Sequence, residues 1–73
     1  MDLNKELNQL KIDFNITKNK IHKLETSLLK NKVPNQLIQY SHIHLSSLKQ
    51  LSLILNLRVN QLTILINSQQ SPD

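Results

Sequence analysis

Lys32-Val33-Pro34-Asn35 is the one clear break in a chain of 73 residues, and helical spacing runs on both sides of it. Proline disfavours helical geometry in the residue before it, so a first helix is expected to end near Lys32. Asn35 is placed to cap the helix that follows. A connection of about four residues between two long helical patterns folds them back on each other. The expected architecture is therefore all-α: an antiparallel two-helix hairpin, coiled-coil-like, with a short proline-containing turn. It forms a single domain over residues 1–73, with helices at 2–32 and 36–67, a turn at 33–35 and a frayed polar tail at 68–73.

Upstream of the break, Leu3, Leu7, Leu10, Phe14, Thr17, Ile21, Leu24, Leu28 and Asn31 follow alternating steps of four and three. That is a heptad seam, interrupted at Thr17. Asp2 stands where it caps the helix and complements its dipole. Ile12 and Ile16 read as widening the stripe in its middle, available to the second helix or to another chain. Antiparallel pairing is expected to set Leu24 and Leu28 near Leu37 and Tyr40, and Leu3 and Leu7 near residues 62–66.

Downstream, the apolar residues fall on two faces at about 100° per residue. Leu45, Leu48, Leu51, Leu55, Val59, Leu62 and Ile66 make one stripe; Ile43, Leu53, Ile54, Leu57, Ile64 and Leu65 make another, roughly opposite. The expected hairpin core is Leu3, Leu7, Leu10, Phe14, Ile21, Leu24, Leu28, Leu45, Leu48, Leu55, Val59, Leu62 and Ile66. A hairpin uses one stripe for that core, so the second set is assigned to a protein partner. Self-association in a symmetric four-helix bundle and assembly with a different chain satisfy it equally well. Gln50, Arg58 and Gln61 interrupt the second stripe, as at a rimmed interface.

Composition removes many alternatives. There is no cysteine, hence no disulfide or thiolate metal site, and no glycine, hence no phosphate-cradling glycine loop. Phe14 and Tyr40 are the only aromatics, too few for base stacking. The net charge of +4 is concentrated early, in Lys5, Lys11, Lys18, Lys20, Lys23, Lys30 and Lys32. Interleaved with Asp2, Glu6, Asp13 and Glu25, these read as a solvated helix face, so nucleic acid is not the expected partner. The first residues lack the apolar core of a secretion signal. Residues 51–66 are the greasiest stretch, yet Asn56, Arg58, Asn60 and Gln61 break them short of the ~20 apolar residues that a membrane span needs. A cytoplasmic location is expected.

No catalytic, cofactor-binding or metal-ligating set emerges. His42 and His44 lie about 200° apart on a helix and cannot clasp one ion, whereas ligand pairs use spacings of three or four. Ser41, Ser46, Ser47 and Ser52 have no acid–histidine pair beside them. No concave pocket is expected between two helices of this size. Asn15-Ile16-Thr17 matches the glycosylation sequon, but it sits inside the heptad and is read as coincidental. An enzyme, a cofactor and a small-molecule substrate are not expected.

The chain resembles the small E-component co-chaperones of bacterial type III secretion needles. The resemblance lies in Met1-Asp2-Leu3 with Leu7 and Leu10, in Val33-Pro34-Asn35-Gln36-Leu37, and in the run from Ser47 to Arg58. It covers most of the chain as architecture. Relatives usually carry a glycine or two near the turn and alanines in the second helix, where this chain has Leu51 and Leu53. The resemblance implies a cytoplasmic helical hairpin that pairs with a helical-repeat chaperone and keeps the needle subunit soluble and unpolymerised. Two other assignments stay open: a small coiled-coil subunit of a eukaryotic kinetochore or meiotic recombination complex, and a basic hairpin that binds nucleic acid.

Overall fold

A computed structural model describes residues 2–70 of the chain. Helix α1 spans Leu3–Leu29, a 3-10 turn spans Asn35–Leu37, and helix α2 spans Ile38–Gln70. The two helices pack against each other along their length, and the described residues contain no strand. The hairpin measures 60 × 19 × 14 Å, which is a pair of helices, each about 10 Å across, lying side by side.

α1 begins where its first donors are satisfied. The Asp2 carboxylate accepts from the backbone N–H groups of Asn4 and Lys5 at 3.1 and 3.3 Å. Glu6 adds negative charge in the first turn, where the helix dipole favours it. Lys18 then sits over the Phe14 ring, 5.2 Å from its centroid, one turn further on.

α1 ends earlier than Pro34 alone implies, at Leu29 rather than Lys32. Asn31 turns into the left-handed region with φ of 54°. The Lys32 N–H donates to the Ser27 carbonyl at 2.9 Å, and the Asn31 N–H to the Leu28 carbonyl at 3.2 Å. This is a Schellman closure, which satisfies carbonyls that a helix end otherwise leaves open. Glycine is the usual occupant of its left-handed position; in a chain without glycine an asparagine takes it, because its short polar side chain tolerates that conformation best.

Asn35 does not cap α2 as its position suggested. Pro34 holds the N-cap position of the 3-10 turn, without a side-chain hydrogen bond, and its carbonyl accepts from the Leu37 N–H at 2.8 Å. At the other end, residues 68–70 continue α2 instead of fraying. Nothing before Pro72 breaks helical geometry there. The remainder of the expected tail, residues 71–73, lies outside the described residues.

The interface between the helices is a double heptad. On α1, Leu3, Leu7, Leu10, Phe14, Thr17, Ile21, Leu24 and Leu28 are buried or half-buried. On α2, Ser41, Leu45, Leu48, Ser52, Leu55, Val59, Leu62 and Ile66 are buried or half-buried at the same alternating spacing. Leu51, expected in this stripe from its helical angle among the apolar positions, is 43% exposed, and Ser52 occupies the seam. Position 52 is four residues from Leu48 and three from Leu55, and the heptad geometry wins over side-chain polarity. Two of the three hydroxyls in the seam bond to their own helix. Thr17 donates to the Asp13 carbonyl at 2.8 Å and Ser52 to the Lys49 carbonyl at 2.9 Å. Among the described residues no buried side-chain polar atom lacks a partner.

Register differs from the expected one at the turn. Leu28 shares a concavity with Ile38, His42 and Leu45, and Leu24 another with His44 and Leu48. Leu37 and Tyr40, the expected neighbours, are exposed. The early end of α1 and the 3-10 turn lengthen the connection, so α2 meets α1 further along its own sequence. An ion pair of 3.2 Å between Glu25 and Lys49 marks the same register. Both partners are about half exposed, so the pair locates the helices more than it stabilises them.

Candidate functional site

α2 is apolar on two faces, and α1 covers only one of them; His42, Lys49, Asn56 and Asn60 form an exposed polar sector between the two. Leu10, Leu48, Leu55 and Ile66 form the buried core. Beyond it, Ile43, Leu53, Ile54, Leu57, Ile64 and Leu65, the set assigned to a partner, are all exposed; Leu53, Leu57 and Ile64 reach 64%, 61% and 63%. Leu55 at 5% and Leu57 at 61% stand two residues apart, roughly opposite on the helix. Leu51 joins the exposed set at its edge.

A helix with a second apolar face normally buries it against another element. Here the outer face runs for most of two dozen residues, or about 35 Å at 1.5 Å per residue. It is punctuated by Ser47, Gln50, Arg58 and Gln61, all exposed. The Ser47 hydroxyl is turned back to the Ile43 carbonyl at 3.1 Å, which lowers its polarity toward the face. α2 contains no aspartate or glutamate, so Arg58 is the only formal charge within this outer stripe.

Ile12 and Ile16 do not widen the core. They are 52% and 46% exposed, because positions two residues on either side of Phe14 project to the far side of α1. They stand on the lysine-bearing surface rather than on the α2 face.

The turn holds a shallow concavity of about 510 Å3 between Glu25, Leu28, Val33, Ile38, His42 and Leu45, where none was expected. It arises because the chain swings out through residues 30–34 before α2 begins. His42 lines it, while His44 lies against Leu24 and Leu48 in a separate groove and stacks on Tyr40 with ring centroids 6.1 Å apart. Among the described residues no three histidine, aspartate or glutamate side chains converge. Thr17 of the sequon is buried, with its hydroxyl committed to Asp13.

No described helix is long and apolar enough to cross a membrane. No protein family, characterised protein or solved structure matches the chain.

Proposed function

We propose that this hairpin is a non-enzymatic interaction subunit that presents the outer face of α2 to another polypeptide. The supporting observation is the exposure of Ile43, Leu53, Ile54, Leu57, Ile64 and Leu65 along one side of a helix whose other side is already the core. Covering six such side chains, each half to two-thirds exposed, contributes roughly 5–10 kcal/mol before costs. Association and side-chain ordering cost about 4–15 kcal/mol. The two ranges overlap, so a stable complex requires that most of the stripe be covered at once. A long partner helix meets that requirement and a short peptide does not.

The finer reading follows the resemblance to the type III needle co-chaperones. In it the partner is a larger helical-repeat chaperone, the shared client is the needle subunit, and the setting is cytoplasmic. The function is physical: the hairpin stabilises the chaperone, which covers client surface that otherwise polymerises. Co-expression tests both levels. Leu57→Asp is expected to leave the isolated chain helical by circular dichroism and to abolish capture of the partner. Leu48→Asp is expected to unfold the chain, because it places an unpaired charge in the core. Equal behaviour of the two variants in both assays refutes the division into faces. A needle subunit that is equally soluble with and without the hairpin refutes the co-chaperone role.

A further inference from the structure

Along its centre line, from Ile43 to Leu65, the outer stripe of α2 reads alike in both directions about Ile54; Leu53 and Ile64, on its flank, mirror the seam residue Leu55 and His44 and stand outside the pattern. Three residues to either side stand Leu51 and Leu57; at four residues, Gln50 and Arg58; at seven, Ser47 and Gln61; at eleven, Ile43 and Leu65. All of these side chains are exposed, and at about 100° per residue they lie within about 60° of the direction of Ile54. At these centre-line positions apolar residues mirror apolar ones and polar residues mirror polar ones.

A stripe with that symmetry matches itself when turned end for end. An isologous interface requires this property, since each residue meets the symmetry mate of its own partner. We propose that a second copy of this chain covers the face, with two hairpins pairing antiparallel through α2 about a two-fold axis at Ile54. Ile54 then meets its own copy, Leu51 lies level with the partner's Leu57, and Ile43 with the partner's Leu65. Gln50 lies level with the partner's Arg58, so the polar positions share one layer instead of facing leucines.

Charge selects the antiparallel sense. Parallel pairing in register sets Arg58 against its copy on a helix that has no acid to offset it. Antiparallel pairing separates the two arginines by eight residues, about 12 Å along the axis, which exceeds the screening length of about 8 Å at physiological salt. The proposal rests on the reading of α2 as a docking face and names the occupant of that face when no other partner is present.

The chain contains no cysteine, so single cysteines report the geometry cleanly. Helix axes about 8–10 Å apart bring facing residues at the two-fold axis within disulfide reach. Under mild oxidation of the purified full chain at tens of micromolar, Ile54→Cys is expected to cross-link to its copy. Ile43→Cys alone is expected not to, since its copy lies about 33 Å away along the axis. A mixture of Ile43→Cys and Leu65→Cys chains is expected to cross-link again. Sedimentation is expected to give twice the chain mass, halved by Leu57→Asp. Cross-linking of Ile43→Cys as fast as Ile54→Cys overturns the antiparallel pairing. A monomer that binds a hydrophobic dye in a manner lost in Leu57→Asp overturns self-pairing and leaves the docking face standing. A monomer that binds no dye overturns both.

Discussion

Leu55→Ala and Leu57→Ala remove the same atoms from the same helix two residues apart, so helix propensity cancels in their comparison. What differs is environment: Leu55 is 5% exposed in the seam and Leu57 is 61% exposed outside it. Leucine-to-alanine changes in cores cost about 2–5 kcal/mol. No side chain among the described residues is completely enclosed, so a cavity at position 55 collapses partly, and a loss of about 2–3 kcal/mol is expected. Leu57→Ala is expected within about 0.5 kcal/mol of the parent. A chain of this size has roughly 3–10 kcal/mol of stability in total. Urea titration followed by helical circular dichroism reads the difference: with a slope near 1 kcal/mol/M, Leu55→Ala moves the midpoint down by about 2–3 M. The measurement belongs at low micromolar protein, where pairing between copies does not contribute. Equal losses at the two positions, or a loss below about 1 kcal/mol at Leu55, refute the seam described above.

Other expected outcomes follow from particular contacts. Asn31→Gly removes the penalty of a left-handed non-glycine residue and is expected to raise stability by roughly 0.5–1 kcal/mol, whereas Asn31→Val lowers it by about 1–2 kcal/mol; the same urea titration distinguishes them. Asp2→Ala withdraws the acceptor for Asn4 and Lys5 and is expected to cost about 1 kcal/mol, with faster amide exchange confined to the first turn of α1. The capture assay for Leu57→Asp and the cysteine cross-links complete the set.

The α1 seam was legible from spacing alone, because most of its apolar residues occupy one stripe and only Ile12, Ile16 and Leu29 fall outside it. Thr17 was legible as an interruption, but not as a buried one: its hydroxyl finds the Asp13 carbonyl one turn back, and this local bond makes burial tolerable. Ser52 was hidden by the same logic. Only apolar residues were assigned to the stripe, which took in Leu51 and passed over Ser52, while packing follows position. The end of α1 was misplaced because proline was the visible signal, and an asparagine in the left-handed region has no comparable mark in sequence. The exposure of Ile12 and Ile16 followed once α1 and α2 had met, since angular position relative to Phe14 separates them from the core.

Residue pattern by itself determined that the chain is two helices joined near Pro34, that leucine and isoleucine positions at heptad spacing form its core, and that α2 carries more apolar surface than one neighbour covers. These properties follow from periodicity, which is local. Tertiary structure decided the register, with Glu25 paired to Lys49 and Leu28 lining the same concavity as Leu45, and with it the identity of the seam residues on α2. Register depends on how much chain the turn consumes. That amount was set by backbone closure at residues 27–32 and by the 3-10 turn, where hydrogen-bond geometry rather than hydrophobic pattern determines the path.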